Sequence, residues 1–317
     1  MNGVGDATDP ARAGRGGGEF AAIARIAARF GAGPPGELWI GDDAAVVRLG
    51  GRRVAVAADA VVAGVHADLA LTSIADLGWK ALAVNVSDLA AMGLAAQRAV
   101  VTVCGPPETD IDGLYDGIEA AADAFCCPIV GGDLADAAAL VVSVTVLADA
   151  EVSPAPVRRS GARAGDAIWV SGPLGDAAAG LRRLRAGRRD GDAGRAHARP
   201  QPRVAEGVAA REVGASAMID VSDGLTADLA HILDASAVGC QLTSLPIAPG
   251  ATAEDAATGG EDYELVFCAP ASVDVAAAFA ARGLREPVRL GWCTADPAIR
   301  LLGDAVLPSG GWRHQLG

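Results

Sequence analysis

Short apolar runs and helix-period segments alternate along this chain of 317 residues, and the alternation is interrupted once before it restarts. The interruption is EVSPAPVRRSGARAGD, 151–166, whose prolines and small residues suit a linker better than a strand or helix. Strands mixed with helices on both sides, joined by frequent crossovers, predict an α/β (α+β) fold in two domains. The length agrees, because single hydrophobic cores stop growing at roughly 250–300 residues. The expected divisions are a disordered leader over 1–18, an N-terminal domain over 19–150 and a C-terminal domain over 151–317.

Within the first half, EFAAIARIAARF (19–30) places Phe20, Ile23, Ala27 and Phe30 on one helical stripe. AAVVRL and RVAVAAD flank Gly50-Gly51 and predict a hairpin. SIADLGWKALAVNVSDLAAMG, 73–93, predicts a long helix ending at Gly93. QRAVVTVCG and ALVVSVTVLA read as strands, ETDIDGLYDGIEAAADAF as a helix, and CPIVGGD as a strand running into a glycine turn. The second half begins with AIWVSG as a strand and LGDAAAGLRRLRAG as a helix. SAMIDVSDGLTADLAHIL follows as strand, turn and helix, TGGEDYELVFCAP as a turn feeding a strand, and VDVAAAFAARG as a helix.

Composition removes several functions. The 26 Lys and Arg against 39 Asp and Glu give a net charge of −13, which argues against nucleic-acid or anionic-membrane partners. The longest apolar stretch, 81–103, is broken by Asn85, Asp88, Gln97 and Arg98, so no membrane span is expected. Six cysteines without a C-x-x-C pair suit reduced thiols in a cytoplasmic protein. Lys80 is the single lysine, and it stands in GWKALA, so a Walker P-loop is excluded. Nucleotide phosphates would have to be neutralised another way, and the 28 Asp against 11 Glu suggest divalent cations.

The aspartates recur where an apolar segment meets a small residue: GDD (41–43), AAD (57–59), NVSD (85–88), GGD (131–133) and DVSDG (220–224). Phosphoryl transfer needs an aligned acceptor and carboxylate-held cations more than covalent chemistry from the protein. Each motif alone is commonest as turn chemistry, and Ser222 or Asp223 could simply cap the next helix.

In order and wording the motifs resemble the thiamine-monophosphate kinases, in the superfamily of aminoimidazole-ribonucleotide synthase. The resemblance runs from GEF (18–20) to GGW (310–312), through GDDAAVV, DAVVAGVH, KALAVNVSDLAAMG, VGGD, RRSGARAGD, HARPQPR, IDVSDGLTADLAHI and GGEDYEL. It implies an N-terminal sheet domain that dimerises and binds ATP and magnesium, and a C-terminal α/β domain. By matching positions, Asp43, Asp59, Asp88, Asp133, Asp220 and Asp223 would hold Mg2+, with Asp59, Asp88 and Asp220 central to catalysis. Gly132, Asp133, Arg159 and Ser222 would bind ATP. His66, Glu261 and Trp312 would contact thiamine monophosphate, Glu261 pairing with a cationic ring and Trp312 stacking on it.

Three positions depart from the family wording: Ala57-Ala58 for a hydroxyl pair, Ala67 for an aromatic, and Leu134-Ala135-Asp136 for Thr-Thr-Arg. They keep two alternatives open, a paralogue acting on another phosphate ester and a non-catalytic nucleotide-binding regulator. Asp228 and His231 read as a polar helix face, the arginines of 182–203 as a solvated loop, and Cys126-Cys127 as packing before a buried strand.

Overall fold

A computed structural model describes residues 18–188 and 194–312. Apart from Gly18 the expected leader lies outside them, as do 189–193 of the arginine-rich segment. The first half runs α1 (Gly18–Phe30), β1 (Ala45–Leu49), β2 (Arg52–Val62), α2 (Ile74–Ala91), β3 (Arg98–Gly105), α3 (Ile111–Ala124), β4 (Ile129–Asp136) and β5 (Val141–Asp149). Gly50 and Gly51, at φ +57° and +86°, close the expected hairpin in the left-handed region that two-residue turns favour. The strands form one sheet in the order β1-β2-β5-β3-β4, antiparallel except for β3 against β4.

Period-two burial along β3 and β5 turns Ala99, Val101, Val103, Val142, Val144 and Val146 toward one face. Helices α2 and α3 join that core through Leu77, Leu82, Leu89, Leu114 and Ile118. A capping box starts α2: the Ser73 side chain accepts from the Asp76 N–H, and the Asp76 carboxylate accepts from the Ser73 N–H. The helix is buried on nearly every side, as its apolar run requires. Its approach to α3 is backbone-close at Gly117, where a Cβ would lie 1.8 Å from the Ala75 carbonyl. The opposite face of the sheet has no helix among the described residues, and β4 is exposed almost throughout.

The second half runs β6 (Ala167–Val170), α4 (Asp176–Arg185), α5 (Arg195–Ala198), α6 (Val204–Glu212), β7 (Ala217–Asp220), α7 (Leu225–Ser236), β8 (Gly239–Leu242), α8 (Ala253–Thr258), β9 (Leu265–Ala269), α9 (Val275–Ala280), β10 (Val288–Thr294), β11 (Arg300–Leu302) and β12 (Ala305–Val306). The sheet order is β12-β11-β8-β10-β6-β9-β7. Both faces are covered, so β9 is fully buried: Val266 and Cys268 pack with α7, and Leu265, Phe267 and Ala269 with α6 and α9. Helix α2 packs against β7 and α6, and Arg211 of α6 donates from Nε to the Gly93 carbonyl at 2.9 Å.

Several expectations change. Strand β4 continues through Gly131-Gly132 to Asp136 instead of turning at the glycines. Gly132 is needed there because a Cβ would lie 1.9 Å from the Val101 carbonyl. The strand after Cys126-Cys127 is exposed, although Cys127 itself is buried. Helix α6 and strands β8, β10, β11 and β12 carry too little periodicity over their few residues to stand out in the sequence.

Candidate functional site

A cleft of about 1170 Å³ lies between the two sheet units. Its wall includes Asp43 before β1, Asp59 on β2, Asp88 on α2, Arg159 on the connecting segment, and Asp220, Ser222 and Asp223 at the end of β7. Ligand oxygens of Asp43, Asp88 and Asp220 lie within 4.8 Å of one another. Arg159 donates to Asp43 Oδ1 from Nη2 and Nε at 2.7 and 3.2 Å, and its main-chain N–H donates to Asp42 Oδ1 at 3.0 Å. Ser87 donates its hydroxyl to Asp220 Oδ2 at 2.6 Å, and Asn85 Oδ1 accepts from the Asp59 N–H at 2.7 Å.

Burial and mutual repulsion show in the acidities. Burial, then the charges of Asp59, Asp220 and Asp43, push the Asp88 carboxyl well above its ordinary range. Burial and the Asp43 charge push Asp220 up to about 7, against the lowering effect of Ser87. Burial raises Asp42 to about 6. Asp43 Oδ2 is buried with no hydrogen-bond partner. An orphaned carboxylate oxygen among converging hard oxygen donors suits Mg2+ or a similar cation.

The DVSDG turn is organised from within α7. Asp228 is 2% exposed, and its Oδ2 accepts from the N–H groups of Asp223 and Gly224 at 3.1 and 3.0 Å. It is therefore a buried turn anchor and not part of a solvated face, and the N-cap position of the helix falls on Gly224 instead of on Ser222 or Asp223. His231 is on the cleft wall. Trp312, half exposed on that wall, donates its main-chain N–H to the Asp223 carbonyl at 3.0 Å and so docks the tail over the turn.

His66, Lys80, His197 and Glu261 line another part of the same cleft. His66 Nδ1 accepts from the Val62 N–H at 3.0 Å. Glu261 is already engaged: Lys80 Nζ donates to its Oε1 at 2.7 Å, and His197 Nδ1 lies 2.7 Å from its Oε2. The second contact is close but poorly aligned for a hydrogen bond. Burial would raise the Glu261 carboxyl, but His197 and the Lys80 charge overcome it and hold it at about 2. The arginine-rich segment is equally engaged. Arg182 pairs with Asp255 at 2.7 Å, Arg199 with Asp76 at 2.5 Å, and Arg203 with Glu264 at 2.8 Å. Trp79 Nε1 donates to the Pro200 carbonyl at 2.9 Å, so HARPQPR clamps the start of α2. The solvated-loop expectation is corrected for these residues.

Gly132 and Asp133 do not reach this cleft within the chain. Asp59, Val144, Val101 and Gly132 share one register row, so β2 and β4 stand three strand spacings apart, about 14 Å. Asp133 is the next residue on β4 and shares its row with Thr102, Ser143 and Ala60, on the face without helices.

The family "AIR synthase related protein" matches as its N-terminal domain over residues 41–150 and its C-terminal domain over 163–304. Thiamine-monophosphate kinase of Mycobacterium tuberculosis is 41% identical over 270 residues, 79% of this chain and 80% of that protein. The chain belongs to the thiamine-monophosphate kinase family. The solved structure of AaThiL complexed with AMPPCP and TMP superposes with a TM-score of 0.81 at 29% identity, covering 94% of this chain and 97% of that one. Thiamine-monophosphate kinase from Stenotrophomonas maltophilia K279a superposes at 0.73 with 36% identity, covering 92% and 98%.

The three departures from the wording of thiamine-monophosphate kinases fall in different surroundings. Ala57 packs into the core while Ala58 is exposed, because adjacent strand residues face opposite ways. Ala67 is 4% exposed and packs into the core, where it does not line the cleft. Leu134 is on exposed β4. Sequence reasoning missed Lys80, His197, Asn85 and Ser87 as parts of the site. A lone lysine inside an otherwise apolar helix was the available signal for the first.

Proposed function

We propose that the protein transfers the γ-phosphoryl group of ATP to thiamine monophosphate, giving thiamine diphosphate and ADP. The observation that carries this reading is the convergence of Asp43, Asp88 and Asp220, from three separate segments, on one point in a cleft shared by both halves. Bound there, Mg2+ would offset the charge of the nucleotide phosphates, which the carboxylates would otherwise repel. Asp43, Asp88 and Asp220 are the first candidates to hold it, with Asp59 and Asp223 beside them on the wall. Arg159, now paired with Asp43, is within the same wall to take a phosphate oxygen, and its fork geometry suits two donors to one phosphate. The acceptor is a phosphate already ionised at neutral pH, so in-line attack needs no strong general base.

Gly132 and Asp133 belong in this reading through a second copy. The helix-free face of the first sheet, together with the exposed edge strand β4 on which Val130 and Leu134 are 58% and 60% exposed, would be the surface of a homodimer in which β4 of one copy approaches the cleft of the other. The protein would work in the cytoplasm; no described helix is long and apolar enough to cross a membrane.

Incubation with ATP, magnesium and thiamine monophosphate tests the function. Equal yields of ADP and thiamine diphosphate, abolished by a chelator, are expected. Tight ATP binding without turnover would favour the regulator alternative. Light scattering should report a mass near twice 31.6 kDa, and a monomer would remove Asp133 from the site.

A further inference from the structure

Lys80 is 1% exposed, and its ammonium holds two parts of the cleft together. Nζ donates to the His66 carbonyl at 3.0 Å and to Glu261 Oε1 at 2.7 Å. His66 follows β2 in the first half of the molecule, whereas Glu261 stands before β9 in the second half. The His66 ring is oriented by the same short loop, because its Nδ1 accepts from the Val62 N–H at 3.0 Å. Glu261 itself sits at φ +67°, an unfavourable backbone for a glutamate unless the surrounding contacts enforce it. Its N–H donates to the Ser222 carbonyl at 2.7 Å, which ties it to the DVSDG turn. An ammonium buried this deeply needs a paired carboxylate, and a carboxylate already engaged by Lys80 and in contact with His197 is poorly placed to neutralise a cationic ligand.

We propose that Lys80 is a positioning residue for the acceptor, bridging the His66 loop to Glu261, and that Glu261 acts through this bridge instead of as counter-ion to a cationic substrate ring. The proposal rests on the kinase reading for its substrate. Residues 80 and 88 are two helical turns apart along α2, about 12 Å, so the bridge is separate from the carboxylate cluster. Its loss should disturb the acceptor and spare the nucleotide.

The test compares K80M, E261Q and the K80M/E261Q double variant. Steady-state kinetics should show the KM for thiamine monophosphate raised about tenfold in each single variant, with the KM for ATP within about twofold of the parent. The double variant should be no worse than the poorer single one, because the two residues act as one unit. A tenfold KM effect in E261Q with none in K80M would overturn the proposal and make Glu261 the substrate's counter-ion. Equal changes in both KM values, or multiplied effects in the double variant, would also overturn it. Hydrogen–deuterium exchange supplies a readout independent of activity. K80M should speed exchange about tenfold in peptides covering 62–67 and 259–264 alike, and unchanged exchange in either would overturn the bridge. If a single variant fails to fold, the folded double variant, free of an unpaired buried charge, carries the same exchange test. A parent protein inactive on thiamine monophosphate would sink the kinase reading while exchange still decided the bridge.

Discussion

At the acidic end of the cleft, Asp43, Asp88 and Asp220 crowd together with Arg159 as the cation paired to Asp43. At the Glu261 end, one carboxylate faces both Lys80 and His197. Both sets are desolvated, yet the acidities move in opposite directions: Asp220 rises to about 7, and Glu261 falls to about 2. Burial raises both carboxyls, and the neighbouring charges decide the outcome. Uncompensated carboxylates are disposed to take up a cation, whereas a compensated one holds structure in place.

The largest expected effect comes from removing charge at the acidic end. Asp88→Asn should lower kcat by 10³-fold or more, equivalent to about 4 kcal/mol of transition-state stabilisation. Because Asp88 repels its neighbours in the metal-free protein, the variant should unfold at the same or a higher temperature than the parent. Near-normal turnover in a folded Asp88→Asn protein would detach the residue from catalysis.

The second prediction concerns the Glu261 end and pH. The folded-state value of about 2 lies below the ordinary 4.5, so ionised Glu261 stabilises the fold above pH 4.5. That contribution, up to about 3 kcal/mol from the size of the shift, is lost as pH falls from 4.5 toward 2. Urea unfolding between pH 5 and 3 should therefore show a steeper loss for the parent than for Glu261→Gln. Identical slopes would mean the pairing with Lys80 and His197 does not persist in solution.

Arg159→Met should act next in size. Losing a charge-assisted, two-donor contact costs about 2 kcal/mol, which predicts roughly a 30-fold weaker ATP affinity by calorimetry. An unchanged affinity would leave Arg159 as the partner of Asp43 and nothing more. The smallest effect belongs to Ala58→Thr. If Ala58 stands where a hydroxyl ligand would complete the coordination, threonine should lower the magnesium needed for half-maximal activity about two- to threefold. The same magnesium requirement in both proteins would show that this exposed side of β2 does not face the cations.

Local patterning was enough for much of the architecture. The Gly50-Gly51 hairpin, the burial alternation of β5 and the long α2 follow from periodicity and turn chemistry, which act over a few residues. The five acidic motifs were equally visible, because carboxylates beside small residues at element ends form a local pattern. Their grouping was not. Asp43, Asp88 and Asp220 converge because α2 packs against both β2 and β7, while Asp133 is carried to the far side by the order β2-β5-β3-β4. Strand order depends on long-range pairing, and no local propensity encodes it. Lys80 and Glu261 meet across 181 positions, so the sequence could show a buried lysine needing a partner but not which carboxylate supplied it. That choice belongs to tertiary packing, since only there do desolvation and a 2.7 Å approach make one pairing prevail over the others.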